Sequence, residues 1–400
     1  MSNKAQKRGL IPKLRFPEFR DEGEWQSSPL EDLISTVTPP KKIQTSDYLS
    51  EGSFPIIDQG QSVIAGWTND PDAIVEASQP LIVFGDHTCV LKLIRQSFAQ
   101  GADGIKIIKG SDLADTAFLY QFLCFQPVVT EEYKRHFSIL KTKVVAYPDR
   151  KSGEQQKIAD CLASLDERIT LEAQKLVTLK THKKGLMQQL FPAEGKTLPK
   201  LRFAEFRDEG EWEEKSLGQI GEIVTGKTPS TSDDSLWNGD IQFVTPTDIS
   251  EEKYQWKTQR SIVRNKKTKV LPKHSTMFTC IASIGKMSLS VKPCITNQQI
   301  NTLIPDKCYD NEFVYYSLLS IVHLIKATQA NSTLPIINKT EFSKFTVPVP
   351  KTYAEQQKIA DCLVSLDELI TAQTQKLAAL KTHKKGLMQQ LFPVLDEATQ

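Results

Sequence analysis

No run of about 18 apolar residues occurs anywhere in the 400-residue chain, so the sequence predicts no membrane-spanning helix. Lys4, Lys7 and Arg8 lie near the start, but no apolar stretch follows them. No secretory signal is therefore expected, and the expected compartment is the cytoplasm. Cysteine is sparse: seven residues with no C-x-x-C pair, which argues against a disulfide framework and a structural zinc site. Histidine is scarcer still, at six, and His182 and His383 have no ligand-like neighbours. They read as surface residues at one repeated helix position. Catalytic signatures are missing too. The sequence has no Asp/Asn-Pro-Pro-Tyr/Phe of a base amino-methylase and no Gly-rich loop for S-adenosylmethionine. Three E-x-K triplets begin at Glu132, Glu213 and Glu251, but none follows a Pro-Asp at nuclease-like spacing. No catalytic, cofactor-binding or metal-binding residue is assigned.

One motif does match a nucleotide-binding pattern. Gly221-Glu-Ile-Val-Thr-Gly226-Lys227-Thr228 fits G-x-x-x-x-G-K-S/T, which cradles phosphates when a buried strand precedes it and a helix follows. Here Ser216-Leu-Gly-Gln-Ile220 is no buried strand, and Pro229 directly follows Thr228. A P-loop nucleotidase is thus the weaker alternative. Asp86 and His87 could form a catalytic dyad, yet no nucleophile or metal set accompanies them. A loop holding polar groups towards a ligand is the preferred reading.

The net charge of +2 is bland, but its distribution is not. Residues 12–150 hold 14 Lys/Arg against 19 Asp/Glu, and residues 199–350 hold 19 against 17. Between Lys253 and Lys273 lie eight basic residues (Lys253, Lys257, Arg260, Arg264, Lys266, Lys267, Lys269, Lys273) and no acid, with Tyr254 and Trp256 interleaved. Such a stretch suits phosphate contact, and a solvated basic loop would look the same.

The chain also repeats itself. Residues 154–192 and 355–393 align without gaps and agree at 32 of 39 positions. Upstream, PKLRFPEFRDEGEW from Pro12 recurs as PKLRFAEFRDEGEW from Pro199, and D-x-x-F-L/V-Y occurs at 115–120 and 310–315. The three pairs are offset by 201, 187 and 195 residues respectively, so the second unit is 14 residues longer. The extra residues fall in stretches of roughly 35–110 and 222–308, which show no convincing similarity to each other. A duplicated frame carries two different inserts.

Each 39-residue segment carries heptads. The a/d series runs Ile158, Leu162, Leu165, Ile169, Glu172, Leu176, Leu179, Lys183, Leu186, Leu190, and in the copy Ile359, Leu363, Leu366, Ile370, Gln373, Leu377, Leu380, Lys384, Leu387, Leu391. Cys161 and Cys362 flank the seam at matched positions. Capping boxes are expected at Ser152 with Gln155 and at Thr352 with Glu355, and Pro192 and Pro393 close the helices. Gly185 and Gly386 could kink or end them. Two such seams in one chain are expected to zip together antiparallel; packing of each helix on its own domain is the alternative.

The inserts read as mixed α/β. Strands are expected at 54–57, 81–84, 105–108, 241–244 and 277–281, helices at 116–126 and 311–327, and strands at 144–147 and 346–349 leading into the heptad helices. The expected division is 1–150, a helix at 152–192, 193–350, a helix at 352–393, and a tail at 394–400. The fold class is α/β (mixed α+β): two domains with mixed sheets, separated by an antiparallel coiled-coil pair with pseudo-two-fold symmetry.

With these residues in view, the chain resembles specificity subunits of type I restriction–modification enzymes over nearly its whole length. The duplicated E-Q-Q-K-I-A helices carry the likeness. So do Gly226-Lys-Thr-Pro-Ser230, Val244-Thr-Pro-Thr-Asp248, Ile284-Gly285 and Thr296-Asn-Gln-Gln-Ile-Asn301 in the second insert, and Pro55-Ile-Ile-Asp-Gln-Gly60 and Phe84-Gly-Asp-His-Thr88 in the first. In the commoner form of the last motif an Arg follows the Thr; here Cys89 does. The resemblance implies that each domain reads half of a split double-stranded DNA target while the helices set the gap. It implies that two methyltransferase subunits dock on the helices with S-adenosylmethionine, flipping the base they methylate. It also implies that translocase–nuclease subunits using ATP and Mg can join. Because the inserts differ, the target should be asymmetric. Candidate DNA contacts are Lys41, Lys42, Gln59, Gln61, Asp86, His87 and Thr88 in the first domain. In the second they are Lys227, Thr228, Ser230, Thr247, Lys257, Arg260, Arg264, Lys266, Lys267, Asn297 and Gln298. Internal hydrogen bonding is the alternative for the Asn297-Gln298-Gln299 run. A stand-alone DNA-binding or scaffold protein is the alternative to a complex subunit.

Overall fold

A computed structural model of the chain describes residues 10–393 apart from 103, 129–134, 251, 265–267 and 330–334. The chain divides into two compact units, residues 1–173 with 376–400, and residues 174–375.

In the first unit, β1 (Gln26–Pro29) leads through α1 (Leu30–Leu33) into β2 (Ile34–Val37). The insert follows with β3 (Phe54–Ile57), β4 (Gly66–Thr68), β5 (Ile74–Val75), β6 (Leu81–Gly85), β7 (Leu91–Ile94), β8 (Phe98–Gln100) and β9 (Ile105–Gly110). Then come α2 (Thr116–Phe125), α3 (Phe137–Thr142), β10 (Val144–Tyr147) and the long α4 (Glu154–Leu190). The strands form sheets ordered β2-β9-β6-β7 and β4-β3-β8-β5, and β1 pairs with β10. All of β6 is buried, as its unbroken apolar run requires of a central strand.

The second unit repeats the plan with other sheets. β11 (Glu213–Ser216), α5 (Leu217–Ile220) and β12 (Gly221–Thr225) precede β13 (Trp237–Val244), β14 (Tyr254–Gln255), β15 (Arg260–Ile262), β16 (Thr276–Thr279), β17 (Met287–Ser290), β18 (Cys294–Thr296) and β19 (Ile300–Pro305). They are followed by α6 (Asn311–Thr328), α7 (Lys339–Lys344), β20 (Thr346–Val349) and α8 (Tyr353–Leu391). The sheets run β12-β19-β16-β17-β14 and β15-β13-β18, with β11 paired to β20.

Both long helices serve both units, α4 changing unit after residue 173 and α8 after 375. Within the first unit the start of α4 meets the end of α8: Ile158 and Leu162 share a core with Met388, Leu391 and Phe392. Within the second, Ile359 and Leu363 share a core with Leu190 and Phe191. All twenty seam positions are buried or half-buried, whereas Leu171, Val177 and Leu369, off the seam, are exposed. The polar seam residues have partners as well. Lys384 pairs with Asp166 at 2.5 Å in the first unit, and Lys183 with Asp367 at 2.5 Å in the second. Glu172 pairs with Lys376. The zipped antiparallel arrangement is the one formed.

The repeated front motif explains why the duplication extends beyond the helices. Arg15 donates Nε and Nη2 to the two carboxylate oxygens of Glu154 at 2.8 and 2.7 Å, and Arg202 does the same to Glu355 at 2.8 Å each. One residue earlier, the backbone N–H of Leu14 donates to the carbonyl of Gln390 and that of Leu201 to Gln189, both at 2.9 Å. Each motif therefore ties the start of one long helix to the end of the other. The third repeat caps a helix in each unit. Asp115 Oδ1 accepts from the N–H groups of Ala117 and Phe118, and Asp310 Oδ1 from that of Phe313.

The start of the long helices departs from the expected capping boxes. Gln155 is buried and bridges α2 to α4 instead: its Oε1 accepts from the Asp115 N–H at 2.7 Å, and its Nε2 donates to the carbonyls of Leu113 and Pro148. Thr352 Oγ1 accepts from the Glu355 N–H at 3.4 Å, but the Glu355 carboxylate is taken by Arg202. A buried carboxylate gains more from a guanidinium than from a cap. Nor do the glycines break the helices, which run through Gly185 and Gly386. A Cβ at either would meet nothing within 4 Å. Gly185→Ala and Gly386→Ala should each stabilise the protein by about 1 kcal/mol, the helix-propensity difference, read from denaturant midpoints. A loss of stability would show that the helix uses the freedom of glycine there.

Candidate nucleic-acid interface

In the first unit the two insert motifs meet at the ends of β3 and β6. Thr88 Oγ1 donates to the carbonyl of Gln59 at 2.8 Å. Buried Lys92 donates to the carbonyls of Asp58 (2.8 Å) and Ser62 (2.6 Å), tying down the 58–62 loop, and its burial lowers its pKa. Gly104, at φ +98°, lets the chain pass Gln59, whose amide would lie 2.7 Å from a Cβ there. Gln61, His87 and Thr88 are exposed and Gln59 half-buried, on loops held by these bonds.

Asp86 differs from its neighbours. It is buried, and its Oδ1 accepts from the Phe137 N–H at 2.8 Å, while its carbonyl accepts from the His136 N–H at 2.9 Å. Its carboxylate is thus engaged with the start of α3, inside the domain, rather than offered to a ligand or to His87. Cys89 adopts φ +55°, and burial pushes its thiol pKa up. Lys41 is exposed but pairs with Asp70 at 2.6 Å, which holds the Asp70 carboxyl below its usual range. Lys42 is exposed and its backbone bridges to Gln100.

In the second unit the chain leaves β12 at Gly226 and crosses the 296–300 segment. The Gly226 N–H donates to the Ile300 carbonyl at 3.1 Å and that of Lys227 to the Thr296 carbonyl at 2.8 Å. A Cβ at Gly226 would lie 2.2 Å from the Asn297 oxygen, so only glycine fits. Thr228 Oγ1 donates to Gln298 Oε1 at 2.7 Å. Asn297 is buried and bonds internally with Gln299 through both Oδ1 and Nδ2. Thr247 is exposed, its hydroxyl 2.8 Å from that of Thr245. Lys227, Gln298 and Ser230 are exposed. A groove of about 650 Å³ opens here, lined among others by Lys227, Thr228, Ser230, Asp233, Lys269 and Thr296.

The nucleotide-binding match fails on geometry. Residues 221–225 are a strand paired with β19, and the next regular elements after Thr228 are a single 3-10 turn at 234–236 and β13. Neither the loop nor the helix that would gather N–H groups on a phosphate is present there. Among the described residues no group of three or more His, Cys, Asp or Glu could hold a metal ion, and no helix is long and apolar enough to cross a membrane.

The basic stretch is not uniform. Lys253, its first member, is buried: Nζ lies 2.8 Å from Glu312 Oε2, 2.9 Å from Tyr316 Oη and 3.7 Å from Asp367 Oδ2. It therefore belongs to the junction with α6 and α8. Burial and Asp367 push the Tyr316 hydroxyl pKa far up. Lys269 pairs with Glu222. Lys257, Arg260, Arg264 and Lys273 are exposed, Trp256 stands 59% exposed beside them in sequence, and Lys266 and Lys267 lie outside the described residues. Reasoning from sequence missed both the buried role of Lys253 and the stacking of Arg260 on Trp237, with Cζ 3.4 Å from the ring centroid. Neither pair is close in sequence, so no local pattern could have shown it.

Residues 209–382 match the family model described as type I restriction modification DNA specificity domain. The chain is 26% identical over 384 residues to the EcoR124I/EcoR124II specificity subunit of Escherichia coli, covering 89% of each. It is 31% identical over 168 residues to the MjaIX specificity subunit of Methanocaldococcus jannaschii, covering 40% of this chain and 39% of that one. Its fold matches the crystal structure of a type I restriction–modification S subunit from M. genitalium with TM-score 0.69 at 17% identity, covering 96% of this chain and 100% of that one. Together with the duplicated frame, these likenesses make the chain similar to type I restriction–modification specificity subunits along nearly its whole length.

Proposed function

We propose that the chain is the non-catalytic, DNA-reading subunit of a type I restriction–modification complex, each unit binding one half of an asymmetric, split duplex target. The observation that carries this is the matched frame: the same Arg–Glu clasp and the same helix ends hold two unlike sets of sheets. A single reading head would need no second frame, and a palindromic target would need no second kind of insert. In this reading the length of the paired helices sets the gap. Two methyltransferase subunits dock on them and supply S-adenosylmethionine chemistry, and translocase–nuclease subunits bring ATP and Mg, all in the cytoplasm. The chain's own part is to bind and orient the duplex. Phosphate contact falls to exposed cations such as Lys257 and Arg264, and base reading to the loops at 59–61, 87–88 and 227–230.

The test is equilibrium binding of the chain, co-purified with its methyltransferase partner, to duplex DNA at several salt concentrations. Affinity should fall steeply with salt, and Lys257→Ala with Arg264→Ala should reduce the log–log slope by roughly 2. Salt-independent binding of the unsubstituted complex would overturn the reading. An unchanged slope in the double variant would remove those two residues from the phosphate contacts. Failure to co-purify any methyltransferase would favour a stand-alone DNA-binding protein.

A further inference from the structure

We propose that Arg260 is a base-reading residue of the second unit, presenting its guanidinium edge to the O6 and N7 atoms of a guanine, with Trp237 as its positioning residue. The proposal rests on the DNA-recognition reading above and assigns one side chain its part in it. Arg260 opens β15, the edge strand of the β15-β13-β18 sheet, and is exposed. Its Cζ lies 3.4 Å from the centroid of the Trp237 ring, so the guanidinium is stacked on the indole. Stacking covers a face and leaves the N–H edges outward. Among the described residues no carboxylate pairs with Arg260, in contrast to Lys41 with Asp70 and Lys269 with Glu222.

The platform is itself fixed. Trp237 is 6% exposed, its ring meets Phe243 edge-on at 5.3 Å, and its Nε1 donates to the Ser230 carbonyl at 2.9 Å. Ring contact and hydrogen bond together prevent the indole from turning. Through Ser230 the same ring anchors the loop that carries Lys227 and Thr228. Two elements of the candidate interface are thereby indexed to one rigid group.

A phosphate needs only a cation within reach, and a flexible lysine on a loop supplies that. A fork stacked in one plane before the ligand arrives loses less side-chain freedom on binding, and it suits a ligand whose two acceptors lie side by side in one plane. The guanine major-groove edge is such a ligand.

Methylation mapping in cells carrying the complex tests this, with Arg260→Lys and Trp237→Phe compared with the unsubstituted chain. Arg260→Lys keeps the charge and removes the planar fork. The mapped target should become degenerate at one G·C pair in one half, with discrimination there falling about tenfold to hundredfold and the other half unchanged. Trp237→Phe keeps an apolar ring but loses the bond to Ser230, and should loosen the same base pair more weakly. A merely structural Trp237 would lower methylation evenly. An intact target with evenly reduced methylation in Arg260→Lys would make Arg260 a phosphate contact and overturn the proposal, as would degeneracy spread over several positions. If the unsubstituted complex gives no two-part target, the DNA-recognition reading fails first and takes this one with it.

Discussion

Replacing Arg202 by Ala should cost the second unit about 3–5 kcal/mol, among the largest single losses available in this molecule. The reason is the state in which it leaves Glu355. That side chain is 1% exposed and accepts two bonds from Arg202 and one, at 3.2 Å, from Trp212 Nε1. Without the guanidinium it must hold a buried charge on one neutral donor or take up a proton. Arg15→Ala should act alike in the first unit, where the Glu154 side chain is also 1% exposed. The exposed Lys358–Glu205 pair on the same frame has the opposite character. Both side chains are about half exposed, and Lys358→Ala should cost well under 1 kcal/mol. Denaturant unfolding of the three variants checks the contrast. Equal losses from the exposed and buried pairs would contradict it.

Phe392→Ala should lower the stability of the first unit by about 3–5 kcal/mol, although the residue follows the whole second insert in sequence. Its ring is 1% exposed and packs against Phe118, Phe122 and Phe125 at 5.7, 5.5 and 5.4 Å between centroids. Removing it empties a site enclosed by rigid rings and by α8, so the surroundings have little room to collapse. Phe191 stands in the same relation to Trp212 and Phe313 in the second unit, at 6.0 and 5.7 Å. Hydrogen exchange would locate the effect. Amides of α2 (Thr116–Phe125) should exchange faster in Phe392→Ala while those of α6 keep their protection. Faster exchange confined to the end of α8 would mean that the helix terminus does not support the first unit.

These two expectations rest on features that the sequence displays unevenly. The heptads were legible because a seam of spaced apolar residues has a fixed helical period, and all twenty positions are at least half-buried. Strands such as Phe54–Ile57 and Val144–Tyr147 were legible as short apolar runs between turn residues. The Arg15–Glu154 clasp was not, because its partners are 139 residues apart and nothing local distinguishes that glutamate from a surface one. Gln155 misled for a related reason: its spacing from Ser152 fits a cap, and only the fold shows that Asp115 and Pro148 claim its amide. At the candidate site, composition located the basic stretch but could not separate buried Lys253 from exposed Lys257. Asp86 likewise sits in a loop motif that looks ligand-facing, while its carboxylate caps the start of α3.

Repeated residues hold the frame and non-repeated ones make the difference between the halves. Asp166 and Asp367 are the same repeat position, each paired with the lysine of the other long helix. Yet Asp166 accepts from the Gln121 amide at 2.9 Å, whereas Asp367 accepts from the Tyr316 hydroxyl at 2.5 Å and has Lys253 beside it. Each unit meets the shared helix position with its own contacts. Dissimilar domains on a shared frame should read dissimilar halves of one target.

Single-molecule mapping of modified adenines in cells that carry this chain with its methyltransferase partner tests that claim most directly. The expected motif has two parts of different sequence separated by a fixed unread gap. A palindromic motif, or one contiguous word, would contradict it.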